Sequence, residues 1–290
     1  MALFDVLLGV TTVTVLLLGV TLVPIVGVNR LVAFYRRGPV QRIRAVIPYF
    51  VFLGLVLVVG GFREAGADLS WIVGIEISSL ILDLEGGAVI AWLQSFQTPA
   101  VTAYFSAVYV YGYIYLLVFP FIAYVLAEDL RPFRVLSLAY AFNYVVGVIL
   151  YVLFIAYGPR NYPIGVEQLL YDNWPQSQLL TSQVNVNTNV FPSLHASVST
   201  TIGLLAIRTR DVYPRWPLIA VPLAASVCVA TMYLAIHWAT DVVAGVVLAG
   251  VSVWFAERYH DQYVDIVCRS RDRVLSGLRG LRQRIRSYRN

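Results

Sequence analysis

The 290 residues contain three histidines, and two of them stand where an imidazole can be made reactive. His237 opens His237-Trp238-Ala239-Thr240-Asp241, so a carboxylate follows four positions later. On one helix such a pair shares a face. A carboxylate bonded to one ring nitrogen fixes the tautomer and leaves the other nitrogen as a lone pair, the arrangement of a nucleophilic or basic histidine. His195 lies in Phe191-Pro192-Ser193-Leu194-His195-Ala196-Ser197. Ser193 suits a helix N-cap there, and Pro192 keeps the helix from starting earlier. A helix N-terminus offers amide groups and a positive dipole end to an anion, which places His195 beside any anion held there. The third histidine, His260, sits among Glu257, Arg258 and Asp261 and reads as solvated. A zinc site built from His195, His237 and Asp241 has no supporting motif spacing, and no metal is assigned.

A lone histidine at a helix end is more often structural than catalytic, so the weight falls on the elements that must bring these residues together. The chain is 59% hydrophobic and 13% charged, with mean hydropathy +0.74. A soluble domain is about 45–50% apolar and about 25% charged. These figures exclude a cytosolic globular enzyme, a disordered tail protein and a secreted disulfide scaffold. They predict an all-α integral membrane protein. Uncharged apolar runs mark seven spans, at about 6–28, 46–62, 100–126, 135–157, 193–207, 217–236 and 239–256. The fifth is short and carries Ser197, Ser199, Thr200 and Thr201, which predicts a helix facing other helices or a polar cavity rather than lipid. Cys228 and Cys268 have no metal-site spacing and read as free thiols.

All 21 basic residues are arginine, and they order the chain across the bilayer. Arg30, Arg36, Arg37, Arg42 and Arg44 follow the first span, Arg131 and Arg134 the third, Arg208, Arg210 and Arg215 the fifth, and nine more from Arg258 onward the seventh. Every second connection is basic, as the positive-inside rule requires. The N-terminus is then outside and the C-terminal tail cytoplasmic. The net charge of +5 is a topology signal and not a nucleic-acid one. Two arginines remain outside. Arg63 ends a span, where snorkelling explains it. Arg160, in Gly158-Pro159-Arg160-Asn161, contributes nothing to orientation and asks for an anion. His195, His237, Asp241 and Arg160 thus converge on one membrane face.

The outer segment 63–98 is acidic (Glu64, Asp68, Glu76, Asp83, Glu85), and Trp71 to Ile81 fits an interfacial amphipathic helix. The outer 158–192 loop is polar, with Asn185, Asn187 and Asn189 near its end. In the tail, Val267, Val274, Leu278, Leu281 and Ile285 recur at mostly helical spacing amid arginines, which suggests a basic surface helix on anionic lipid, with a solvated or disordered tail as the alternative.

At these residues the sequence resembles the type 2 phosphatidic acid phosphatase superfamily. That family carries Lys-x6-Arg-Pro, Pro-Ser-Gly-His and Ser-Arg-x5-His-x3-Asp. The second motif reads Pro192-Ser193-Leu194-His195 here, and the third reads Ala230-Thr231-x5-His237-x3-Asp241. Trp92-Leu93-Gln94-Ser95 to Thr98-Pro99 is similar to the family's entry into a helix. The first-motif lysine is absent, since the chain has no lysine. Arg131-Pro132 puts Tyr124 in its place and lies on the inner side, so Arg160 is the better counterpart. The third-motif Ser-Arg is Ala230-Thr231. Phe-Pro-Ser-Leu-His and Ala-Thr-Met-Tyr-Leu are similar to the inositol phosphorylceramide synthase branch, whose phosphodiester headgroup carries less charge than a phosphate monoester.

The resemblance implies a core of six helices over residues 46–256, with an extra first helix and basic loop at 1–45 and a tail at 257–290. It implies a phosphohistidine on His237 oriented by Asp241, with His195 as general acid and base. Arg160, Ser193 and the backbone of Leu194 would bind the phosphoryl oxygens, without metal or cofactor. The implied substrate is a membrane lipid phosphate, and the acceptor is water or a polyol such as inositol. The alternatives are an isoprenoid diphosphate or phosphatidic acid phosphatase, and a non-catalytic lipid-binding or transport protein on the same scaffold.

Overall fold

A computed structural model describes residues 2–60, 63–179 and 187–287. Arg63's side chain and Asn185 lie outside the described parts, as do most tail side chains beyond Arg273. The chain is helical almost throughout. Helix α1 (Ala2–Val26) leads into a short amphipathic α2 (Val28–Arg36) and then α3 (Pro39–Gly60). Three short helices follow, α4 (Arg63–Val73), α5 (Ser78–Glu85) and α6 (Ala88–Gln94). The next span is α7 (Pro99–Ala107), a π turn at Val108–Gly112, and α8 (Tyr113–Val125). Beyond it lie α9 (Arg131–Leu153), α10 (Leu169–Asn173), α11 (Leu194–Arg208), α12 (Pro217–Tyr233) and α13 (Ala239–Ser287).

Among the described residues, five helical stretches are long and apolar enough to cross a membrane: 3–26, 39–58, 99–125, 131–153 and 239–273. Helix α12 is apolar but spans 17 residues, and α11 spans 15. Helix α11 is the centre of the bundle, packed on α12, α13 and α9. Its polar residues face inward. Ser197, Ser199 and Thr201 are fully buried, Asn143 of α9 donates to Thr201 at 2.8 Å, and the Ser197 hydroxyl donates to the Asn143 carbonyl oxygen. Buried polar groups need such partners, and in this short helix they replace lipid contact. Helices α1 and α3 lie at the periphery and leave apolar side chains such as Val20 and Val58 exposed.

Local chemistry sets the helix ends. Thr98 caps α7, accepting from the Val101 N–H at 3.2 Å with Pro99 at the first position. Asp129 accepts from the Arg131 N–H at 3.0 Å where α9 begins. Residues 257–276 contain neither Gly nor Pro, and α13 runs unbroken past Glu257. This corrects the reading of His260 as solvated. It is 7% exposed, with Nδ1 3.0 Å from Asp261, and Tyr263 one turn on packs against Tyr49 and hydrogen-bonds Ser137.

Candidate active site

The end of the bundle where α9 finishes and α11 and α13 begin carries all the proposed residues. Two extended pieces brace it. Ile75–Glu76 pairs in parallel with Phe154–Ile155, and Ala156 bridges Asn189. The segment entering the Arg160 turn is thereby clamped on both sides. The Tyr157 N–H then donates to Ser78 at 2.9 Å, and the Tyr157 carbonyl accepts from the Trp238 indole at 2.8 Å.

His237 and Asp241 meet, but not as neighbours on one helix face. His237 lies in the 234–238 connection, and α13 starts at Ala239. Their approach comes from a capping turn. Asp241 Oδ2 accepts from the Trp238 N–H at 2.8 Å, while the Trp238 carbonyl accepts from Val242. An acidic residue at the third helical position reaching back to the cap is half of a capping box. That turn brings His237 Nδ1 to 3.5 Å from Asp241 Oδ2, with the side chains 5% and 0% exposed. This is longer than a formed hydrogen bond, and catalytic contacts often tighten only when substrate binds. Burial, then the positive charge of Arg160, holds the His237 imidazole well below its ordinary pKa and therefore neutral.

A second carboxylate completes the cap, and the sequence reading missed it. Glu85, at the end of α5, accepts from the Ala239 N–H at 3.0 Å and from the Thr240 N–H. Three successive amides at the start of α13 are thus satisfied by two carboxylates, a favourable placement at the positive end of a helix.

Ser193 caps α11, accepting from the Ala196 N–H at 3.3 Å, and is fully buried. Its own N–H donates to the Asp241 carbonyl at 3.0 Å, which ties the two helix starts together. The approach is close enough that a Cβ on Gly245 would meet the Ser193 carbonyl at 2.4 Å. Leu194 fills the space above Gly147 of α9, where a Cβ would stand 2.5 Å from it. His195 is held between aromatic rings. Tyr109, in the π turn, stacks on it at 4.8 Å, and Tyr113 lies at 4.6 Å. The His195 and His237 rings are 5.9 Å apart.

Arg160 sits in a short turn, Pro159–Asn161, laid over the connection that bears His237. Its N–H donates to the Ala235 carbonyl at 3.3 Å. Gly158 permits this contact, since a Cβ there would meet the Ile236 carbonyl at 2.5 Å. The guanidinium donates to the Tyr171 hydroxyl at 3.1 Å and stands 5.2 Å from that ring. Among the described residues, no group of three or more His, Cys, Asp or Glu is placed to hold a metal ion.

Two imidazoles, a carboxylate behind one of them, the N-terminus of α11 and one guanidinium form a site suited to a phosphoryl group. A family model described as the PAP2 superfamily matches residues 79–255. The chain belongs to the PAP2 superfamily. PAP2 members are phosphatases and phosphotransferases, and membership gives this chain lipid phosphatase or phosphotransferase chemistry. The matched region of this PAP2 protein starts in α5 and ends in α13, so it holds Glu85, Arg160, Ser193, Leu194, His195, His237 and Asp241. No curated protein and no solved structure matches the chain.

Proposed function

We propose that this PAP2 protein transfers a phosphoryl or phospho-headgroup from a membrane lipid through a phosphohistidine on His237. The observation that carries the reading is the facing pair of imidazoles, 5.9 Å apart, with Asp241 3.5 Å behind His237. In the first step a His237 ring nitrogen attacks phosphorus, and the bond to the leaving oxygen breaks as His195 gives that oxygen its proton. In the second step His195 takes the proton of the acceptor hydroxyl, which attacks phosphorus and releases His237. Asp241 steadies the charge that develops on His237. Arg160 and the amides at the start of α11, including that of Leu194, bind the phosphoryl oxygens. Ser193 sets the position of those amides.

The acceptor separates the two readings. With water the protein is a lipid phosphate phosphatase, acting on phosphatidic acid or an isoprenoid diphosphate. With a polyol such as inositol it is a phosphotransferase. The absence of lysine and the Ala230-Thr231 replacement leave Arg160 as the one cation of the site motifs, which favours a phosphodiester donor and hence the transferase. On this reading seven helices cross the membrane, α11 and α12 among them. The extra first span and basic loop occupy 1–45, the catalytic domain 46–256 and the basic tail 257–290. The site is extracytoplasmic and the tail cytoplasmic, resting on anionic lipid, and nucleic acid is not a partner.

The test uses the purified full-length protein with a panel of lipid phosphates and phosphodiesters, with and without inositol. A new inositol-containing lipid supports the transferase. Free phosphate alone supports the phosphatase. Neither product from a folded sample would leave a non-catalytic lipid-binding or transport protein.

A further inference from the structure

The arginines at the end of the bundle opposite the site are not scattered. Arg30 of α2, Arg37 just beyond it, and Gln41 and Arg42 of α3 line one cavity of about 300 Å³, closed by Phe34 and Glu128 among others. Orientation in a membrane needs only a number of cations on one side and does not require them to share a concavity. These are also held in place. The Arg30 guanidinium donates to the Val212 carbonyl and stands 4.6 Å from the Tyr213 ring centroid. Arg42 Nε donates to the Val125 carbonyl at 3.1 Å, and Nη2 donates to the carbonyls of Ala127 and, at 3.2 Å, Glu128.

Backbone carbonyls fix a guanidinium without cancelling its charge. Among the described residues, only Arg37 of the three pairs with a carboxylate, Glu128 at 2.9 Å. Three cations and one anion leave two positive charges on the wall. The Arg42 bonds engage Nε and Nη2, which leaves the Nη1 donors for an anion. The rest of the wall is partly apolar, which suits the glycerol and upper acyl region of a lipid better than a free anion. Most of this wall comes from 30–45, before residue 79, where the PAP2 match begins.

We infer that this cavity holds the phosphate group of an anionic phospholipid from the leaflet on that side of the membrane, the cytoplasmic one by the positive-inside rule. The inference is independent of the catalytic reading. It gives the N-terminal addition a role, as a lipid-binding element remote from the chemistry.

The experiment is native mass spectrometry of the full-length protein released from phosphatidylcholine bilayers containing phosphatidylglycerol. The expected result is one phosphatidylglycerol retained per chain in preference to phosphatidylcholine. The double variant Arg30→Gln/Arg42→Gln should lower that retention about tenfold or more, since each cation near a charged surface contributes on the order of 1 kcal/mol. Ala33→Leu, which fills the cavity and leaves every guanidinium in place, should lower it as well. This variant decides the matter if the double variant does not fold. Arg44→Gln, which removes a charge from the same end but not from the cavity wall, should leave retention unchanged. Undiminished retention in folded variants would overturn the inference, as would equal loss with Arg44→Gln. Release of the lipid by inorganic phosphate at the concentration that phosphatidylglycerol itself requires would also overturn it, because the cavity would then be a phosphate site rather than a lipid site.

Discussion

The two ends of the bundle handle charge in opposite ways, and the backbone explains the contrast. At the site end α11 and α13 begin, so N–H groups point outward, and the side chains that answer them are Glu85, Asp241 and Ser193. At the other end α8 finishes, its carbonyls point outward, and Arg42 answers them. Arg30 does the same at Val212, just past α11. At these particular helix ends polarity decides which side chain answers: carboxylates and a hydroxyl at the starts of α11 and α13, and arginines at the carbonyls past α8 and α11. On the proposed reading, the amides at the start of α11 supplement the single guanidinium of Arg160 in binding a phosphoryl group.

The sharpest way to break the contrast is at the site end. His237→Ala should abolish turnover while the protein keeps its melting temperature, and no acid-labile phosphoprotein should form on it. His195→Ala should slow turnover by about 10²–10⁴-fold, the range for a general acid–base group. A His237→Ala protein as active as wild type would remove the phosphohistidine step.

Arg160→Ala comes next. A charge-assisted bond is worth about 1.5–3 kcal/mol, so inhibition by inorganic phosphate should weaken by about 10–100-fold. An unchanged inhibition constant would show that the amides alone hold the phosphoryl group.

The Glu85 cap predicts a smaller effect. Glu85→Ala should cost about 1–2 kcal/mol of stability, the scale of a lost helix cap, and should lower turnover severalfold while phosphate inhibition holds steady. Glu85→Gln keeps one oxygen acceptor for the α13 amides and should fall between. If the alanine variant turned over at the wild-type rate, the Asp241 turn would hold its geometry without this support.

These residues differ in how far the sequence disclosed them. His195, His237 and Asp241 were legible because ionisable groups are rare in apolar segments and their spacing is conspicuous. Arg160 was legible because it broke the charge pattern. Glu85 was not, since its partners are backbone amides and nothing in its own segment separates it from Asp83 or Glu76. Tyr109 and Tyr113 lie inside the apolar 100–126 run and nothing singles them out there, for a π turn has no composition signature. The His237–Asp241 spacing pointed to the right pair through the wrong geometry, because i and i+4 are brought together by a capping turn as well as by a helix face. His260 misled because its charged sequence neighbours suggested solvent, whereas the continuous helix turns its side chain inward and leaves Asp261, its hydrogen-bond partner, exposed. The polar fifth segment packs against other helices, and Asn143 is the partner of its Ser197 and Thr201 hydroxyls.

The weakest expected effect is at the opposite end, and it tests whether the two ends are independent. Arg37 and Glu128 are 2.9 Å apart, closer than His237 and Asp241, but their side chains are 61% and 72% exposed. In water an ion pair gains little, since solvent screens it and ordering two long side chains costs entropy. Arg37→Gln should therefore change stability by about 0.5 kcal/mol or less and leave the turnover rate where it was. The buried His237–Asp241 pair has no solvent to replace a lost partner, so the longer contact is the consequential one. A severalfold change in turnover on Arg37→Gln would mean that the lipid-side cavity and the catalytic turn communicate through the bundle. The helix ends would then have to be treated as one coupled device rather than two.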